Sequence, residues 1–160
     1  TFQGFTAITT RSAAATASQL LVVIFISGNS FFNLSSLAEE GLETKISDAN
    51  AKLIGHPIMA TFAVDSTKLD MELICPIDKK INSAGEYVYK EKIKIINAVM
   101  MSYKGNPSGL QEACNELNKY INDNKLQPIT VGYNVTRKID PLDINNAEID
   151  VYVGINPNIL

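Results

Sequence analysis

One histidine and two cysteines are all that this 160-residue chain holds of those types, and that scarcity removes whole classes of site. Cys75 falls in an apolar strand-like run and Cys114 on the apolar side of a helical stripe, so both read as small buried hydrophobes. No metal-ligand spacing links them, which all but excludes structural zinc. Nor is there a Ser/Cys–His pattern for covalent catalysis. With both cysteines read as buried hydrophobes, a reducing compartment is the default, and a cytoplasmic location is expected. Positive charge is also short. Fourteen basic against seventeen acidic residues leave −3, with no basic stripe for a phosphate backbone, so nucleic acid is not an expected partner. Lys90, Lys92 and Lys94 alternate as a solvated strand face would. The apolar run Leu20 to Ile26 is too short to span a bilayer, and no membrane partner is expected. Arg11 and the Ala/Thr/Ser stretch before that run imitate a signal peptide, but a repeat accounts for the same residues as a core strand.

What remains is an ordinary globular composition, 46% apolar and 19% charged. A chain of this length makes one domain and buries roughly two-thirds of its unfolded surface. Its organising stretch is Glu148 to Ile155. Ile149, Val151 and Val153 alternate with Glu148, Asp150 and Tyr152, the two-residue period of a strand. Asp70 to Ile77 is its twin at an offset of 78: Asp70 meets Glu148, Glu72 meets Asp150, and Ile77 meets Ile155. At 77, Gly28-Asn29 meets Gly105-Asn106, Val22 to Ile26 meets Val99 to Tyr103, and Gly55 meets Gly132. One inserted residue in the last turn would reconcile the two offsets. An internal repeat of this length governs the fold. Two acids on one strand face, repeated in both halves, mark a candidate site.

In chain order, residues 1–18 are a poorly specified N-terminal segment or edge strand, and 19–160 form a single domain with repeats at about 19–77 and 86–155. Leu20 to Ser27 reads as a central strand. A helix is expected over Asn33 to Leu53, with Gly41 weakening its middle. Ile58 to Val64 and Leu69 to Ile77 pair around Asp65 to Lys68. Tyr87 to Lys104 alternates as a long strand, with a bend or bulge near Ile96-Asn97. Ser108 and Gln111 have capping-box spacing, and Leu110, Ala113, Cys114, Leu117, Tyr120 and Ile121 form the clearest helical stripe. Pro128 stops that helix. Val131 to Ile139 and Ala147 to Ile155 close the chain as a hairpin.

Pro76-Ile77-Asp78-Lys79, Tyr103-Lys104-Gly105-Asn106 before an amphipathic helix, and the terminal Glu-x-Asp-Val-Tyr-x-Gly-Ile together resemble the gyrase-inhibitor-like (GyrI-like) family. That family includes the effector-binding half of bacterial multidrug-responsive transcription activators. The likeness runs from about Leu20 to Ile155, with Gly154 where proline is usual. It implies an α+β fold of two pseudo-symmetric βαββ repeats, with antiparallel sheets and two main helices around a central groove. In that family the groove takes small hydrophobic, often cationic molecules. No helix-turn-helix segment is visible in the chain, which reads as a stand-alone binding domain.

Asp150, Glu148 and Glu72 are the expected acids of the groove, and Tyr152, Tyr103, Tyr133 and Phe25 its aromatics. A ring could stack on a cation there for about 0.5–2 kcal/mol. His56 stands at the position repeated by Tyr133 and reads as structural, although the same fold occurs in a haem-binding family. No cofactor is expected. Three functions compete: a small-molecule binding protein, a hydrolase of small electrophiles using the same groove, and a protein-interaction module of gyrase-inhibitor type. Binding without catalysis is the favoured reading. For protein partners, a homodimer and a separate regulator protein both stay open.

Overall fold

The computed structural model describes residues 5–11, 15–17, 20–28, 31–63, 69–83, 85, 87–91, 93–95 and 97–159, with side chains from residue 40 onward apart from 62–69, 84, 86, 92–96 and 159. The strands are β1 (Phe5–Arg11), β2 (Ala15–Ala17), β3 (Leu20–Gly28), β4 (Ile58–Ala63), β5 (Leu69–Ile77), β6 (Tyr87–Lys90), β7 (Ile93–Ile95), β8 (Ala98–Gly105), β9 (Pro128–Lys138) and β10 (Ala147–Ile155). The main helices are α1 (Phe31–Asp48) and α2 (Leu110–Asp123). The chain forms two compact units, residues 16–94 and residues 1–15 with 95–160.

Each unit contains a βαββ repeat, β3-α1-β4-β5 in one and β8-α2-β9-β10 in the other. Within the first, the strands lie in the order β4-β5-β3-β6, and within the second in the order β9-β10-β8-β1. The pairs are antiparallel, and the expected α+β repeat architecture is present. The fourth strand of each sheet comes from outside its repeat. β1 pairs with β8, and β6 with β3. The run from Tyr87 is therefore three strands. It breaks at the expected place before Ala98 and again after Lys90, because its first part pairs with β3.

Register makes the duplication quantitative. Phe25 lies opposite Glu72 and Ser102 opposite Asp150, so the inner strand pairs match at offsets of 77 and 78. The helix ends match at 75. Asn50 (φ 51°) and Lys125 (φ 54°) both take the left-handed conformation that closes a helix. Beside them Ala51 N–H donates to the Ile46 carbonyl and Leu126 N–H to the Ile121 carbonyl, each at 2.9 Å. The outer strands keep that offset, since Ile58 faces Ile74 and Tyr133 faces Tyr152. The repeat thus loses two residues before the helix end and gains three between the last two strands. Gly55 is not the counterpart of Gly132: it lies outside β4, whereas Gly132 lies inside β9.

α1 stops at Asp48, short of Leu53, because Asn50 reverses the backbone there. Gly41 leaves the helix continuous. A Cβ at that position would come 2.9 Å from the Tyr87 hydroxyl, so glycine gives the ring room. Each helix covers one face of its own sheet. Leu42 and Ile46 pack with Leu73, Cys75 and Ile77 in one unit; Leu117 and Ile121 pack with Met101, Val151 and Val153 in the other. Leu42 and Leu117, 75 positions apart, are each 1% exposed. Burying a leucine to that extent stabilises by roughly 1.5–3 kcal/mol. The turn at Asp65 to Lys68 lies outside the described residues.

Candidate ligand-binding site

Strand alternation divides β10 between two environments. Ile149, Val151, Val153 and Ile155 belong to the core beneath α2. Glu148, Asp150 and Tyr152 fall on the opposite face, where register sets three rows across three strands. Tyr133, Tyr152 and Met100 form one row. Val135, Asp150 and Ser102 form the next, and Lys138, Glu148 and Lys104 the last. Directly opposite side chains on a sheet face lie within about 5.5 Å of one another, and rows two residues apart are about 7 Å apart. An aromatic and thioether row therefore borders a carboxylate row, and a charged row closes the far side.

Asp150 is the centre. Its side chain is only 8% exposed, and both of its oxygens are engaged. Ser102 Oγ donates to Oδ1 at 2.8 Å, and Arg137 Nε approaches Oδ2 at 3.0 Å. Arg137 has the parity of Tyr133 and Val135, so alternation along β9 puts it on the Asp150 face one row beyond Val135. Thr136 pairs with Ile149 and Lys138 with Glu148, so Arg137 is an extra residue in the ladder. Its side chain reaches over the carboxylate. It stays 49% exposed. Glu148 lies farther out with Lys104 Nζ at 3.4 Å, a geometry that contributes little.

The other unit holds its own buried acid. Glu72, in the register position equivalent to Asp150, has a side chain 8% exposed and accepts from Lys90 Nζ at 2.8 Å. Its cation comes from β6, whereas that of Asp150 comes from β9. The fully buried Ala60 lies opposite Glu72 on one side. Phe25 lies opposite on the other by register, and its side chain falls outside the described residues.

Two expected site residues stand elsewhere. Tyr103 has the parity of Val99 and Met101, so it faces α2, away from Asp150. Its hydroxyl donates to the Asn106 carbonyl at 2.6 Å and lies against Gly109, and burial raises its pKa above 10.0. His56 is exposed in the connector before β4, and the register partner of Tyr133 in the repeat is Ile58. Ser102, Arg137 and Met100 are the neighbours sequence reasoning missed. Ser102 did leave a trace as a polar break in Val99 to Tyr103, and Arg137 alternates in step with Tyr133, but nothing in the chain shows which row it would meet.

Among the described residues, no three His, Cys, Asp or Glu side chains come together to hold a metal ion, and no helix is long and apolar enough to cross a membrane. No family model matches the sequence. Acetylornithine aminotransferase of Clostridium acetobutylicum is 35% identical over 63% of this chain, which spans 27% of that protein's length. Structural similarity is far broader. The EcmrR C-terminal domain superposes with a TM-score of 0.75 at 12% identity, covering 96% of this chain and 97% of that domain. The fold is GyrI-like. The EcmrR chain solved in complex with DNA gives the same score at 13% identity, and the present chain covers 57% of it. A hydrolase from Listeria innocua shares the GyrI-like fold at a TM-score of 0.61 and 9% identity, covering 91% of this chain and 93% of that one.

Proposed function

We propose that the chain binds a small, hydrophobic, cationic molecule on the Asp150 face. The observation that carries this reading is the buried carboxylate beside the Tyr133–Tyr152–Met100 row. A planar cation lying across these rows would stack on tyrosine, meet the polarisable methionine and place its charge near Asp150. Glu72 offers a second buried acid of the same kind. The GyrI-like fold supports the reading, as does its occurrence in the C-terminal domain of EcmrR, a protein solved on DNA. In that setting ligand occupancy would be read by a DNA-binding regulator, joined to this chain or separate from it.

Equilibrium titration of wild type and Asp150→Asn with a cationic and an anionic amphipathic dye of similar size tests the proposal. Wild type should prefer the cation, and Asp150→Asn should weaken the cation alone, since it keeps the shape and removes the charge. Equal affinity of wild type for the two dyes would sink it. Hydrolysis is the second reading, and the Ser102 hydroxyl donating to Asp150 is the observation in its favour. It requires time-dependent product from small esters and epoxides, lost in both Ser102→Ala and Asp150→Asn. Mass spectrometry after long incubation should find the compounds unchanged.

A further inference from the structure

We infer that Arg137 is a built-in counter-ion that occupies the cation position of the Asp150 site and leaves it when a cationic ligand binds. The inference rests on the binding reading above and concerns how that same site selects charge. A carboxylate as enclosed as Asp150 is costly to leave unpaired, so the empty site must supply its own cation. Arg137 does this by reaching over Oδ2 from the row beyond Val135, while Ser102 holds Oδ1. The two partners differ in their freedom to leave. Ser102 is part of the sheet face between β10 and its own strand. Arg137 hangs on a long stem and keeps 49% of its side chain in solvent, so it can swing into water without unfolding anything.

Exchange then follows charge. A ligand cation that displaces the guanidinium leaves Asp150 paired throughout, and Arg137 recovers hydration outside. A neutral molecule of the same shape has nothing to offer the carboxylate, so it binds only where Arg137 can stay. Arg137 is thus a specificity determinant that holds down affinity for weak cations, which must displace it, and leaves neutral compounds that bind beside it unaffected.

Titrations of wild type, Arg137→Gln and Arg137→Lys with rhodamine 6G (cationic) and Nile red (neutral) test this. Arg137→Gln keeps much of the stem but removes the competitor, so rhodamine 6G should bind about tenfold tighter or more, the scale of a close charge pair. Arg137→Lys keeps a cation and should stay near wild type, and Nile red affinity should not follow the charge at position 137. An independent readout uses wild type alone. The Arg137 Nε–Hε resonance, assigned by its disappearance in Arg137→Lys, should move toward that of a free arginine as rhodamine 6G saturates the site. It decides the matter if Arg137→Gln does not fold. Rhodamine 6G binding that depends on Asp150 but is unchanged or weaker in Arg137→Gln, or an Arg137 resonance that does not move, overturns the inference and leaves the binding reading standing. Failure of both dyes to bind any of the proteins overturns the two together.

Discussion

Tyr103 and Gly109 meet at the start of α2, and their contact predicts a strong non-additivity. Tyr103 Oη donates to the Asn106 carbonyl at 2.6 Å, and a Cβ built on Gly109 would lie 2.6 Å from that same oxygen. Gly109 has φ −85° and ψ −5°, a conformation alanine adopts freely. Gly109→Ala therefore has two opposing effects. It should gain about 0.4–1 kcal/mol by restricting the unfolded chain. It must also push the hydroxyl off its acceptor, and a buried group that loses its partner costs about 1–3 kcal/mol. The net in wild type is a loss of roughly 0–2.6 kcal/mol. In a Tyr103→Phe background the hydroxyl is gone and the nearest remaining ring atom, Cζ, is 3.6 Å away, an ordinary contact. There Gly109→Ala should stabilise by about 0.4–1 kcal/mol. The coupling free energy is thus about 1–3 kcal/mol, well beyond the roughly 0.5 kcal/mol of independent sites. Urea unfolding of the four proteins, followed by far-UV circular dichroism, measures it. Additive effects, or a Gly109→Ala change of one sign and size in both backgrounds, would refute the packing of Tyr103 against the helix start. Dye affinity should be the same in all four, because Tyr103 faces α2.

The same tyrosine sets an alkaline limit. A raised pKa means that the folded state favours the neutral phenol. Its contribution should be complete below pH 10.0 and fall as pH rises through the folded value, and Tyr103→Phe should flatten that loss in alkaline unfolding curves. Asn50 and Lys125 hold left-handed backbone at the two helix ends, where side chains are disfavoured by about 1–2 kcal/mol. Asn50→Gly and Lys125→Gly should each stabilise by up to about 1 kcal/mol in thermal melts, less for asparagine, which tolerates that conformation better; a loss at either site would count against the shared cap.

The period-two alternation of residues 148–155, the helical stripe from Leu110 to Ile121 and the near-equal halves were all legible in the chain, because each is a local pattern carried by side-chain type. The resemblance to the GyrI-like family rested on the same residues, and the fold agrees with it. The repeat's offsets were only partly legible. Gly55 and Gly132 looked equivalent at 77, yet glycines mark turns wherever they occur, and the hydrogen-bonded caps at Asn50 and Lys125 put this region at 75.

Alternation alone determined that Glu148, Asp150 and Tyr152 share a face and that Ile149, Val151 and Val153 share the other. Which neighbours those faces meet was decided by tertiary structure, since pairing is set by register between residues far apart in the chain. Register placed Ser102 opposite Asp150, turned Tyr103 toward α2 and gave Tyr152 its row with Tyr133 and Met100. It also drew β1 to β8 and β6 to β3, a pairing that strand propensity cannot encode because a strand's composition does not name its partner. Arg137 is the sharpest case. By composition it is one more exposed basic residue, alternation gives it the face of Tyr133 and Val135, and only register, which sets Val135 opposite Asp150, brings it beside a buried carboxylate.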